Sequence, residues 1–457
     1  MQIKQLYTSC LAQGAYYISN NGEAAIIDPL RETKPYLELL KNNNDKLKFV
    51  FETHFHADFV SGHVDLAKET GATIVFGPNA QTSYQSYIAA DGEEFKIGNL
   101  TLKVLHTPGH TLESTCYLLH DETGKPTCVF TGDTLFIGDV GRPDLAVKSE
   151  LTQEDLAGML YDSLRNKLMT LPDEVIIYPA HGAGSACGKN MSSETQDTLG
   201  SQKKSNYALQ NISKQDFIKE LTTGIMPAPQ YFSKNAMLNK NGYGNVNEIM
   251  AKANKALDIT EFKKHLADAI VLDVRKSVDF LSAHIPGSIF IGIDGQFAPW
   301  VGTIIENINQ KIVLIAPEGR EEETILRLSR VGYDNCVGYL NGGISAWIDA
   351  GETVEKINSI TAEEFSKLGI NKSCIIDVRK PGEYENGHLE SVENYPLDFI
   401  NSWSKNFKSD QPTYIHCAGG YRSVIAASLL KKLGHHQLID IAGGYNAIQK
   451  TNLSIVK

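Results

Sequence analysis

The sequence predicts an α/β protein of three domains, and two observations carry that prediction. In the first half, four apolar, strand-like runs each lead into a histidine or an aspartate: His54, His56 and Asp58, then His110, then Asp133, then His181. In the second half the chain repeats itself. Ile270-Val271-Leu272-Asp273-Val274-Arg275-Lys276 returns 104 residues on as Cys374-Ile375-Ile376-Asp377-Val378-Arg379-Lys380, and Gly342-Gly343 returns as Gly443-Gly444. A chain of 457 residues has the length for roughly two to four domains. The expected boundaries are 1–235 with a linker to about 258, then 259–352 and 358–457.

Composition removes several function classes. The formal net charge is −11 and no basic block exists, so neither nucleic acid nor an anionic membrane surface is an expected partner. The chain contains no apolar run of about 18 residues, and its first residues lead into no signal-type core. A cytoplasmic protein is expected. Seven scattered cysteines with no CxxC pair argue against a disulfide framework or a zinc ribbon.

In the first domain, residues 15–18 and 24–29 read as a hairpin across Asn20-Asn21-Gly22. A helical stretch near 36–40 precedes the apolar run 47–51. That run ends on Thr53-His54-Phe55-His56-Ala57-Asp58, whose alternate spacing lets a turn aim several ligands at one point. Residues 64–69 read as a helix, and 73–76, 100–104, 115–119, 128–130 and 175–178 as further strands. Ligands at strand ends of a layered α/β fold converge on one edge of its sheets. After His181 come a small-residue loop containing Cys187, a helix near 217–221 and a linker broken by Pro227 and Pro229.

The ordered set HxHxD, Thr107-Pro108-Gly109-His110-Thr111, Gly132-Asp133 and Ala180-His181-Gly182 resembles the metallo-β-lactamase superfamily, whose fold is an αββα sandwich. The run from Gly132 to Asp144 resembles that of its persulfide dioxygenases. Hydrolases of the superfamily often place a second-metal histidine where this chain has Phe59, and Phe59 departs from the dioxygenase pattern too. A single ion on His54, His110 and Asp133 is then a two-histidine, one-carboxylate triad, which suits one non-haem Fe(II) per chain. His56, Asp58 and His181 become groups that orient ligands or face substrate. For Arg142, pairing with Asp139 or Asp144 is favoured over binding an anionic substrate. Cys187 has two equal readings, a sulfur relay or an ordinary loop thiol.

In the second repeat, the strand ending at His416 runs into Cys417-Ala418-Gly419-Gly420-Tyr421-Arg422 and then a helix over 423–431. A cysteine curled under backbone N–H groups at a helix N-terminus is stabilised as a thiolate, and Arg422 adds positive charge. The loop resembles the six-residue Cys-x-x-Gly-x-Arg loop of rhodanese domains, in which cysteine carries a persulfide sulfur. The first repeat has Ala316 at that position, so it resembles an inactive rhodanese. Asp273, Arg275, Asp377 and Arg379 are expected to be fold-holding ion pairs.

The parts resemble bacterial persulfide dioxygenase–sulfurtransferase fusions of sulfide detoxification. That implies oxidation of a thiol persulfide by O2 to sulfite, and sulfur transfer from Cys417 to sulfite to give thiosulfate. The thiol stays open among coenzyme A, glutathione and bacillithiol, and a homo-oligomer is expected. Two alternatives stand beside this reading: a zinc thioester hydrolase of glyoxalase II type with a rhodanese tail, and a non-enzymatic sulfur-carrier scaffold.

Overall fold

A computed structural model describes residues 1–146, 151–368, 375–408 and 411–457. Cys374, at the start of the returning repeat strand, lies outside them. The chain forms two compact units, residues 1–246 with 329–332, and residues 247–328 with 333–457.

The first unit contains two six-stranded sheets. One has the order β1 (Gln2–Thr8), β2 (Gln13–Asn20), β3 (Glu23–Ile27), β4 (Lys46–Phe51), β5 (Thr73–Phe76) and β6 (Tyr87–Ile88). The other has the order β12-β11-β10-β9-β8-β7, from β7 (Glu94–Ile97), β8 (Leu100–His106), β9 (Thr115–His120), β10 (Pro126–Gly132), β11 (Ile176–Pro179) and β12 (Asp197–Thr198). The hairpin β2–β3 turns on Asn21 and Gly22, both at positive φ, which the primed two-residue turn requires.

Side-chain alternation explains the layering. Tyr16, Ile18, Ala25, Ile27 and Phe51 point to one face and meet Leu102, Val104, Tyr117, Leu119 and Phe130 of the other sheet. Ala15, Tyr17, Ala24, Ile26 and Val50 point to the opposite face and pack on Tyr36, Leu40 and Leu66 of two helices. The second sheet repeats this with Leu118, Val129 and Ile177 against helices over 153–163 and 214–222. Strands covered on both faces are apolar throughout rather than alternating, which is why β2 and β3 are legible as continuous runs. The result is the αββα sandwich.

The second unit holds two parallel five-stranded sheets built alike. The first has the order β13-β17-β16-β14-β15, from β13 (Ala256–Leu257), β14 (Ile270–Asp273), β15 (Ile289–Phe290), β16 (Ile312–Ile315) and β17 (Cys336–Leu340). Within the other, β18 (Asn358–Thr361), β19 (Ile375–Asp377), β21 (Glu393–Asn394), β22 (Thr413–His416) and β23 (Leu438–Ala442) give the matching order β18-β23-β22-β19-β21. A small antiparallel pair, β20 (His388–Leu389) with β24 (Ile455–Val456), lies beside it. The repeated buried pairs are also matched: Arg275 Nη2 lies 2.6 Å from Asp273 Oδ2, and Arg379 Nη2 lies 2.7 Å from Asp377 Oδ2. His284 stacks on Phe280 and His388 on Tyr384, four residues back in both copies. No helix among the described residues is long and apolar enough to cross a membrane.

Phe130 is fully buried between the two sheets, against Tyr16 and Tyr178. Phe130→Ala is expected to destabilise the first unit by about 3–5 kcal/mol, read as a lower urea midpoint for that unit's transition.

Candidate metal centre and thiol loop

The ligand-bearing loops leave the sandwich at the C-terminal ends of β4, β8, β10 and β11. His54, His110 and Asp133 come together, all buried, with their ligand atoms within 4.8 Å of one another. Asp133 Oδ2 lies 3.8 Å from His54 Nε2 and 3.4 Å from His110 Nε2, and no described donor bonds to it. Burial alone would raise the Asp133 carboxyl, but His181, His54 and His110 hold it well below the usual carboxylate range. Burial and the adjacent His56 ring keep His54 neutral.

The tautomers of both histidines are set from behind. His110 Nδ1–H donates to the Arg142 carbonyl at 2.8 Å, leaving the Nε2 lone pair facing Asp133. Asp28 accepts the Thr53 N–H and the Thr53 hydroxyl, each at 2.8 Å, so Thr53 Oγ1 is left to accept His54 Nδ1–H at 3.0 Å. Two imidazole nitrogens held from behind and a bare carboxylate oxygen fit a divalent ion. Gly141 is required for this closeness: a Cβ there would meet the Asp133 carbonyl at 2.1 Å and His110 Nδ1 at 2.9 Å.

The other predicted residues split into two groups. His56 turns away from the ion-binding set and lies 3.1 Å from Asp28 Oδ1 and 3.6 Å from Glu52 Oε2. Glu52 is pushed well up, by burial and by the Asp28 charge. Its Oε1 accepts the Ser61 hydroxyl at 2.6 Å. Asp58, His181 and Cys187 form a second buried set with ligand atoms within 4.8 Å. His181 Nδ1 donates to Asp133 Oδ1 at 2.8 Å, and its Nε2 lies 2.8 Å from Asp58 Oδ2. Burial opposes its charge, yet the Asp133 and Asp58 carboxylates raise His181 well above the usual range. Burial and the same carboxylates push the Cys187 thiol well up, so it sits there as a thiol. Phe59 stacks on the His56 ring, 4.4 Å between centroids.

Arg142 pairs with Asp144 through two nitrogens, at 2.6 and 2.7 Å, and also donates to the Ala186 and Met226 carbonyls. Asp139 instead accepts the Lys189 and Asn190 N–H groups. Beside the ligands lies a cleft of about 720 Å³. Its walls include Phe55, Ala57, Thr111 and Asp144 from the ligand loops, and Phe232 and Met237 from the helix Phe232–Asn241. The stretch after 235, expected as linker to about 258, holds most of that helix and a second, Val246–Ala253.

In the second unit, β22 delivers Cys417 to the start of the helix Arg422–Lys432. The Gly420 N–H donates to Cys417 Sγ at 3.1 Å, with Gly420 at a φ of 95°. Ser423 Oγ lies 3.6 Å from the same sulfur and donates to Asp440. Arg422 is held bidentately by Glu383, at 2.5 and 2.7 Å. A pocket of about 450 Å³ covers the thiol, lined by Lys380, Glu383, Ala418, Gly419, Tyr421 and Arg422 together with Gln296 and Trp300 of the first repeat. Tyr421 O–H donates to the Gly292 carbonyl at 2.7 Å. A Cβ on Gly295 would come within 2.3 Å of the Tyr421 ring. Ala316 occupies the equivalent loop position of the first repeat, which therefore has no thiol there.

Sequence reasoning missed Asp28, Glu52, Thr53, Gln296 and Trp300. The only signal for Asp28 was its place at the end of a strand before Pro29. Thr53→Val keeps the side-chain size and removes the hydroxyl between Asp28 and His54. It is expected to weaken metal binding by about 10- to 100-fold, measured by competition with a chelator.

The comparisons with known proteins agree with this layout. The chain matches the metallo-beta-lactamase superfamily over residues 10–181 and the rhodanese-like domain over 258–350 and 361–451. It is 35% identical over 162 residues to a probable hydroxyacylglutathione hydrolase of Schizosaccharomyces pombe, spanning 35% of this chain and 59% of that protein. It is 30% identical over 216 residues to the mitochondrial persulfide dioxygenase ETHE1 of Homo sapiens, spanning 46% of this chain and 74% of that protein. A crystal structure of a metallo-beta-lactamase from Staphylococcus aureus subsp. aureus COL superposes with a TM-score of 0.66 at 30% identity, covering 75% of this chain and 98% of that one. This chain belongs to the metallo-beta-lactamase superfamily, as a metallo-beta-lactamase domain followed by two rhodanese domains.

Proposed function

We propose that the first domain is a mononuclear non-haem Fe(II) dioxygenase for a low-molecular-weight thiol persulfide, and that the last domain passes sulfane sulfur to the sulfite it makes. The observation that carries the reading is the His54, His110 and Asp133 set, two imidazoles and one carboxylate. That donor set with open positions suits Fe(II) and O2, and the human persulfide dioxygenase relative supports the same chemistry. When bound, the iron supplies a site for O2 and a persulfide sulfur.

The protein residues do the rest. Thr53 and the Arg142 carbonyl keep the two imidazoles in one tautomer. The cleft takes the tail of the thiol, and its Phe55, Phe232 and Met237 walls exclude water from the sulfur end. His181, charged between Asp133 and Asp58, spends both ring nitrogens on those two carboxylates and so holds Asp133 in place for the ion. The overall reaction is RSSH + O2 + H2O → RSH + sulfite + two protons. In the second step the Cys417 thiolate takes the outer sulfur of a second thiol persulfide, the free thiol leaves, and the sulfite sulfur then attacks the outer sulfur of the resulting Cys417 persulfide. The S–S bond breaks, thiosulfate leaves, and the electron pair returns to Cys417 as thiolate, stabilised by the Gly420 N–H and the helix N-terminus.

A second reading has one specific observation behind it. Asp58, His181 and Cys187 offer a second ligand set, and hydroxyacylglutathione hydrolases are among the relatives, so a zinc thioester hydrolase is the competitor.

Oxygen uptake with a thiol persulfide and iron-loaded protein tests the primary reading. The native chain is expected to yield thiosulfate, and Cys417→Ser sulfite alone at an unchanged rate of uptake. Thioester hydrolysis without oxygen uptake would replace it with the hydrolase. Trp300→Ala, in the first repeat, is expected to raise the KM for sulfite several-fold while leaving oxygen uptake intact, because it removes a wall of the Cys417 pocket.

A further inference from the structure

The helix Phe232–Asn241 presents two faces to two different neighbours. Phe232, Ser233, Ala236, Met237 and Lys240 line the cleft, following the helical repeat. Asn235 and Asn239, one turn apart, are both buried. Their amides differ completely in use. Asn239 Nδ2 donates to the His56 carbonyl and to the Phe59 carbonyl, each at 2.8 Å, and Oδ1 accepts the Ser61 N–H at 2.9 Å. The Asn235 amide has no hydrogen-bond partner among the described residues.

The three bonds of Asn239 span the turn over residues 56–61, which follows His54 and carries Asp58. Neither carbonyl accepts a backbone N–H among the described residues, so the Asn239 amide supplies what secondary structure supplies elsewhere. The helix is tied down where it does this: the Tyr84 hydroxyl donates to the Asn239 carbonyl at 2.6 Å, and the Tyr243 hydroxyl just beyond donates to the Ser61 carbonyl.

We propose that Asn239 is a positioning residue of the metal centre. By fixing the 56–61 turn it keeps His54 aimed at the ion, His56 on Asp28 and Asp58 on His181. It does so from a helix whose other face is a wall of the cleft. The inference rests on the metal-centre reading above, but not on which reaction the ion serves.

The test uses the full chain loaded with Co(II), whose visible absorption reports ligand geometry without turnover. Asn239→Asp turns a donor into an acceptor against two carbonyl oxygens. It is expected to weaken Co(II) binding by about tenfold or more and to change the shape of the absorption band. Asn235→Ala, on the same helix and equally buried, is expected to change neither. Should Asn239→Asp not fold, Asn239→Ala is read in its place. An unchanged spectrum and affinity in the Asn239 variant overturns the proposal. So does an equal change in Asn235→Ala, which would make the effect one of helix stability. Native protein that binds no Co(II) overturns the metal-centre reading itself, so the two failures are told apart.

Discussion

A buried carboxylate with one unsatisfied oxygen is the constraint on which the first domain depends. Moving an ionised carboxylate out of water costs on the order of several kcal/mol unless partners offset it. Asp133 has His181 on one oxygen and the Nε2 atoms of His54 and His110 facing the other. Those partners come from three loops other than the one that carries Asp133, and strands ending at a common edge bring all four within reach. The sandwich, packed through its two apolar sheet faces, and the close approach at Gly141 meet that demand. So is the depth of support: Asp28 holds Thr53, Thr53 holds His54, and the Arg142 carbonyl holds His110.

The second unit meets a similar problem with a different charge. At Cys417 the sulfur accepts a backbone N–H beside a helix start, an arrangement that favours negative charge there without a metal. Duplication has left the second repeat with the thiol and the first with Ala316, yet the first is not idle. Trp300 and Gln296 form part of the pocket over Cys417, and Tyr421 is seated between Gly292 and Gly295 of that copy. The loss of chemistry in the first repeat has been accompanied by a share in the other repeat's site.

Much of this was legible in the sequence because it is local. Continuous apolar runs such as those in β2 and β3 read as doubly covered strands, the Asn21-Gly22 turn as a hairpin, and the repeated Asp-Val-Arg as a duplicated strand end. The motif order singles out His54, His56, Asp58, His110, Asp133 and His181, and the structure brings His54, His110 and Asp133 together as one of its buried ligand sets. What was not legible is carried by ordinary polar residues far apart in the chain. Asp28 and Thr53 lie 25 residues apart, and Asn239 lies 183 residues from His56. None of these belongs to a periodic pattern. The segment after Pro229 was read as a linker because its prolines signal a break, while the helix that follows is held by tertiary contacts from Tyr84 and the 56–61 turn. The pairing of Asp58 and His181 with Cys187 likewise needs the fold, since only the loop after β11 returns that thiol to the other two.

The most direct test of a single-iron centre is the metal content of the purified native chain beside Asp133→Ala and Cys187→Ser. One iron per chain, lost in Asp133→Ala and retained in Cys187→Ser, is the result that the His54, His110 and Asp133 triad requires. Two zinc ions per chain, one of them lost in Cys187→Ser, would contradict it and assign the second ligand set to a hydrolase.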